Sequence, residues 1–136
     1  TVPLKTRAGT LHFYLSQMLE AEREGDRYRL RTHRYWYKLY ARPGLKEQAL
    51  LRWEYDSELS PDRPLQCRHH VQLNAKLPAA GLDLNKAHVP TGWVTIEEVI
   101  RFLIVELSVK PLCGKSWPQR IAASEQAFYE RFTSKR

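Results

Sequence analysis

The sequence is poor in the residues that staple or anchor small proteins. Cysteine occurs twice, as Cys67 and Cys113, too few and too far apart for a disulfide framework or a Cys-x-x-Cys site. A reducing, cytoplasmic setting is the expectation that follows. Long apolar runs are missing as well. The longest aliphatic and aromatic stretch is Phe102-Leu103-Ile104-Val105, against the roughly 20 residues that a membrane-spanning helix needs. The first residues, Thr1-Val2-Pro3-Leu4-Lys5, contain no secretory apolar region. There is no Gly-rich phosphate loop, no His-Glu-x-x-His pair, no nucleophile elbow and no EF-hand loop. Together these absences exclude a disulfide-stapled secreted scaffold, a helical membrane protein and the best-marked nucleotide and metal enzymes.

What the chain does have is charge and aromatic bulk. Its 136 residues carry 22 Lys and Arg against 15 Asp and Glu, a formal net charge of +7. The length predicts one domain, residues 1–136. Four Trp, seven Tyr and four Phe are enough to fill a core. Residues 1–52 hold 11 basic and 5 acidic side chains. A basic front half favours a polyanionic partner, most simply nucleic acid; a solvated basic surface is the alternative.

Turn-rich stretches at Glu24-Gly25-Asp26, Arg42-Pro43-Gly44, Ser60–Pro64 and Pro78–Gly81 divide the chain. Between them lie runs with the period of two that marks strands. In Gln48–Asp56, Ala49, Leu51, Trp53 and Tyr55 alternate with Leu50, Arg52, Glu54 and Asp56. In Arg27–Ala41 the alternation slips near His33, which predicts a bulge. In Leu65–Leu73, the series Leu65, Cys67, His69, Val71, Leu73 opposes Gln66, Arg68, His70, Gln72. Residues 10–23 suit a helix or a strand; the Glu-Gly-Asp turn that follows favours a strand.

The last third reads as helical. Thr95-Ile96-Glu97-Glu98 is a capping box, followed by Ile96, Val99, Ile100, Leu103, Ile104 and Leu107 at helical spacing. Phe102 and Val105 add apolar bulk beside that stripe, so a second buried side or a face for another chain is expected. Ser116-Trp117-Pro118-Gln119 repeats the capping pattern, and Trp117, Ile121, Phe128 and Phe132 form a narrow stripe. The expected fold is α+β, an antiparallel sheet of three to five strands followed by two C-terminal helices packed on one face.

Three constellations bear on chemistry. Arg27, Arg29 and Arg31 on one strand face, with Arg34 and Lys38 beyond, stand about 6.6 Å apart by strand rise, close to phosphate spacing. Tyr35, Trp36 and Tyr37 beside them can stack on bases. The competing reading is an exposed strand whose arginines discourage edge pairing while its aromatics fill the core. Next, Arg68-His69-His70 puts two imidazoles on opposite faces of a strand. Histidine both takes and gives a proton near neutral pH. RNA supplies its own nucleophile, the 2′-hydroxyl, so His69 or His70 with His88, Arg52 and Arg68 has the right types for metal-independent cleavage. Core or surface histidines are the bland alternative. Third, Lys86–Gly92 is a Pro- and Gly-containing loop, either a functional loop or a connector. A metal site from Cys67, His69, His88 and Cys113 lacks recognisable ligand spacing, so no metal and no cofactor is expected.

The run RYWYKLY, a turn, LLRWEYDSE, then CRHHVQL and TIEEVIRFL resembles the small TumE-type toxins of bacterial type II toxin–antitoxin pairs, over roughly residues 27–107. The matching positions are Arg52, Trp53, Tyr55 and Asp56, then His69 and His70. The chain departs from the family's Arg-Tyr-Asp-Asn run, since Glu54 and Tyr55 intervene and Ser57 stands in the Asn position. The resemblance implies a cytosolic toxin acting on RNA and a partner antitoxin with a helix-turn-helix DNA-binding domain. It also adds Tyr55 to the candidate site. A non-catalytic nucleic-acid-binding module and a protein-interaction subunit are the alternatives.

Overall fold

The computed structural model describes residues 1–46, 48–58 and 68–133, with side chains as far as Glu130. Leu65, Cys67, the Ser60–Pro64 turn and the side chain of Phe132 lie outside the described residues. The strands are β1 (Val2–Thr6), β2 (Gly9–Glu24), β3 (Arg27–Tyr40), β4 (Leu51–Asp56), β5 (His69–Leu73), β6 (Lys76–Leu77), β7 (Leu82–Asp83) and β8 (Val89–Pro90). Two helices follow, α1 (Ile96–Val105) and α2 (Trp117–Thr133). The fold is α+β. Six strands form one sheet in the order β1-β2-β3-β4-β5-β8, and β6 pairs with β7 separately. That exceeds the three to five strands expected. The five-residue β1 and the two-residue β8 are too short to announce themselves by alternation, and β8 ends in a proline.

Residues 10–23 are strand. Leu11, Phe13 and Leu15 alternate with polar neighbours, and the chain reverses through Gly25 at φ 62°, where a side chain would be strained. Glu24 pairs directly with Arg27, so the loop has two residues, with glycine at the first position as a tight hairpin turn requires. The bulge near His33 is also there: Met18 pairs with Arg34, but Leu19 pairs with Thr32. The extra residue is fastened from just beyond β4, where Ser57 donates its amide to the His33 carbonyl at 3.0 Å. The Ser57 hydroxyl and His33 Nδ1 are 2.8 Å apart.

The bulge decides which residues share a face. β2 alternates without a break, so Arg31, Arg29 and Arg27 opposite Glu20, Glu22 and Glu24 fall on the same face as Arg34, Trp36 and Lys38. The opposite face of the central strands is aromatic. Tyr35 and Tyr37 are 1% exposed and stack at 4.7 Å. Trp53, Tyr55, His69 and Trp93 extend this cluster, with Tyr55 and His69 stacked at 4.3 Å.

The chain forms two compact units, one of Thr1–Pro3 with Leu11–Trp93 and one of Leu4–Thr10 with Val94–Arg136. In the second, the Thr95 hydroxyl accepts the Glu98 amide at 3.2 Å while the Thr95 amide donates to Glu98 Oε2 at 2.7 Å, the expected capping box. Val99, Leu103 and Ile121 are its buried hydrophobic residues among the described ones, whereas Val105 is exposed. Arg101 pairs with Glu125 between α1 and α2 at 2.6 Å. The start of α2 differs from its expected cap: the Ser116 hydroxyl donates back to the Cys113 carbonyl at 2.8 Å. Among the described residues no helix is long and apolar enough to cross a membrane.

Candidate functional site

The polar face of the central strands is built from cross-strand rows. One row runs Ser16 (β2), Trp36 (β3), Glu54 (β4), His70 (β5) and Pro90 (β8). The next runs Tyr14, Lys38, Arg52 and Gln72. Neighbouring strands are about 4.8 Å apart, so charged residues two rows wide fall within reach of each other.

Glu54 is the hub. Lys38 Nζ lies 3.1 Å from Glu54 Oε1, and His70 Nε2 lies 3.5 Å from Glu54 Oε2. Burial alone would raise the Glu54 pKa. Contacts from His70 and Lys38, with the charges of Lys38 and Arg52, outweigh it and bring the carboxyl down to about 2. Glu54 is therefore an anion at any physiological pH. Arg34 pairs with Asp56 at 2.7 Å at the edge of the patch. Arg34, Lys38 and Arg52 thus meet two carboxylates, Glu54 and Asp56, with His70 beside Glu54.

The segment after β5 completes the patch. Leu84 donates its amide to Ala75 and Asn85 to the Asp83 carboxylate, at 2.9 and 3.1 Å, turning the chain so that Asn85 comes over the sheet. Arg52 Nη2 donates to Asn85 Oδ1 at 3.3 Å. The pairing of β8 with β5 then carries His88 to His70, with ring centroids 4.7 Å apart and nearly perpendicular. Gln72 is 5% exposed; its amide nitrogen lies 3.3 Å from the Asn85 carbonyl and 3.1 Å from His88 Nε2. The carbonyl fixes that atom as a donor, so His88 Nε2 is the acceptor and its neutral form carries hydrogen on Nδ1. Burial, then the charge of His70, pushes the His88 pKa down. Tyr40, buried on this face, is pushed up by burial and by Tyr14, against the pull of Arg52.

Of the expected catalytic residues, His70, His88 and Arg52 come together here. His69 and Tyr55 lie on the aromatic face, stacked on each other. Arg68 stands exposed at the start of β5, and after burial its charge is the next cause of a lowered His69 pKa. Of the expected phosphate contacts, Arg34 and Lys38 reach the patch. Arg27, Arg29 and Arg31 share its face but each faces a glutamate, and Arg31 pairs with Glu22 at 3.3 Å. Sequence reasoning missed Glu54, Gln72 and Asn85. The signal for Glu54 was its parity with Arg52; Asn85 comes from a segment with no periodicity. No group of three or more His, Cys, Asp or Glu among the described residues is placed to hold a metal ion. Cys113 is exposed.

No family model, no curated protein and no solved structure matches the chain.

Proposed function

We propose that this chain acts on RNA through the polar face of its sheet, as a metal-independent ribonuclease that uses the RNA's own 2′-hydroxyl as nucleophile. The observation that carries this is the convergence of His70, His88, Lys38 and Arg52 around the ionised Glu54. A carboxylate beside an imidazole orients it and stabilises its protonated form. His70 takes the 2′-hydroxyl proton and returns it to the departing 5′-oxygen. Lys38 and Arg52 hold the charge that grows on phosphorus-bound oxygen. His88, neutral, donates from Nδ1 to the same oxygens. The P–O5′ bond breaks as the O2′–P bond forms, leaving a 2′,3′-cyclic phosphate and a 5′-hydroxyl.

The resemblance of residues 27–107 to TumE-type toxins supports a toxin of a bacterial toxin–antitoxin pair, restrained in the cytoplasm by an antitoxin with a helix-turn-helix domain. The test is incubation with RNA in EDTA, with DNA of the same sequence alongside. Cyclic phosphate ends on RNA and intact DNA are expected. Binding of RNA with no product would remove the chemistry, and absence of binding would remove the whole reading.

A further inference from the structure

Among the described residues, Trp36 is the one tryptophan on the polar face of the central strands. Its row neighbours are Ser16 and Glu54, and its neighbours along β3 on that face are Arg34 and Lys38. The Arg34 guanidinium carbon stands 5.2 Å from the ring centroid and Lys38 Nζ 5.4 Å. Both distances are those of cation–π contacts. The contrast with Trp53 is instructive. Trp53 lies between Tyr37 and Val71 on the aromatic face and is 9% exposed, a core residue by every measure. Trp36 has polar residues on both sides of it in its row, Ser16 and Glu54, and is only partly buried. The indole lies between two cations, two strands and about 10 Å from His70.

We infer that Trp36 is a stacking platform for a nucleobase of single-stranded RNA, which takes the place of one of the two cations against the ring and frees that cation for the adjoining phosphate. This rests on the reading of the polar face as an RNA site and adds the substrate class. Bases inside a duplex have both faces covered by their neighbours, so only an unpaired base can lie on the indole. Stacking tolerates any base, so the preference is for strandedness and not for sequence. Before RNA binds, Arg34 and Lys38 hold the ring; the base displaces one of them, and both are then beside the phosphates that flank the stacked base.

The experiment uses octauridylate, its 2′-deoxy counterpart, which cannot be cleaved by this route, and an abasic deoxy octamer. Binding is followed by tryptophan fluorescence and by competition. For wild type, the two base-bearing octamers are expected to bind alike and the abasic one roughly tenfold or more weaker. Trp36→Ala is expected to lose that margin, and Trp36→Phe to keep most of it; circular dichroism checks that both fold. Equal binding of the abasic and base-bearing octamers by wild type would overturn the platform, as would unchanged affinity in Trp36→Ala. Trp36-dependent binding without cleavage of octauridylate keeps the platform and sinks the ribonuclease. Cleavage with unchanged KM in Trp36→Ala does the reverse.

Discussion

Gln72 Nε2 lies 3.1 Å from His88 Nε2, and the Asn85 carbonyl, 3.3 Å from the same atom, leaves that nitrogen no role but donor. The contact suits a neutral His88, which burial and then the charge of His70 already favour, because an imidazolium would set two donors against each other. Gln72→Glu reverses the situation by offering an acceptor and a negative charge. The expected result is a rise of about one unit or more in the His88 midpoint, read by NMR of the imidazole carbons. An unchanged midpoint would contradict the assigned tautomer.

The lowered pKa values set an acid limit on stability. Burial is the leading cause for both His69 and His88, and both favour the neutral form in the fold. The unfolded chain therefore binds more protons below about 6.5, so stability is full above that pH and falls as the folded values are passed. Glu54 acts in a lower window, contributing above its ordinary 4.5 and losing that contribution as pH falls towards about 2. Urea midpoints measured from pH 8 to pH 3 should fall in two stages. In Glu54→Gln the second stage should shrink, and a flat profile between pH 8 and 5 would contradict the histidine assignment.

The arginine series on β3 shows what a single strand's pattern cannot tell. Alternation and the slip at His33 were legible, because one apolar residue in two is a strong signal and an inserted residue inverts it. The glutamates Glu20, Glu22 and Glu24 were equally visible, but their register against Arg31, Arg29 and Arg27 depends on the hairpin turn and the bulge together. Glu54 needed the same cross-strand knowledge, and Asn85 and His88 needed a loop whose course is set by backbone hydrogen bonds to Ala75 and Asp83. Helix α1 was legible because its cap, Thr95 with Glu98, is local in sequence.

The Arg–Glu pairing has a measurable consequence. If Arg34, Lys38 and Arg52 are the cations that meet phosphate, the affinity for single-stranded RNA should fall by about 2 log units per tenfold rise in salt. Participation of Arg27, Arg29 and Arg31 would bring that slope to about 4. Replacing these three together by Gln should leave the slope of wild type unchanged; a marked flattening would show that they bind phosphate despite their glutamates.

The cap of α1 offers a check on the fold that is independent of function. Thr95 is 3% exposed and closes both halves of the box. Thr95→Ala should cost about 1 kcal/mol, lowering Tm by roughly 4 °C. Thr95→Ser should recover most of it, since the hydroxyl is what accepts the Glu98 amide.

The sheet separates its two adjacent imidazoles, and that separation allows the most direct test of the chemistry. His70 stands beside Glu54 on the polar face, while His69 stacks on Tyr55 on the other. Cleavage of octauridylate in EDTA is measured for wild type, His70→Ala and His69→Phe, the last keeping the aromatic stack. His70→Ala should be slower by about 10²–10⁴-fold and His69→Phe close to wild type. Equal rates for His70→Ala and wild type would contradict the proposed role of His70.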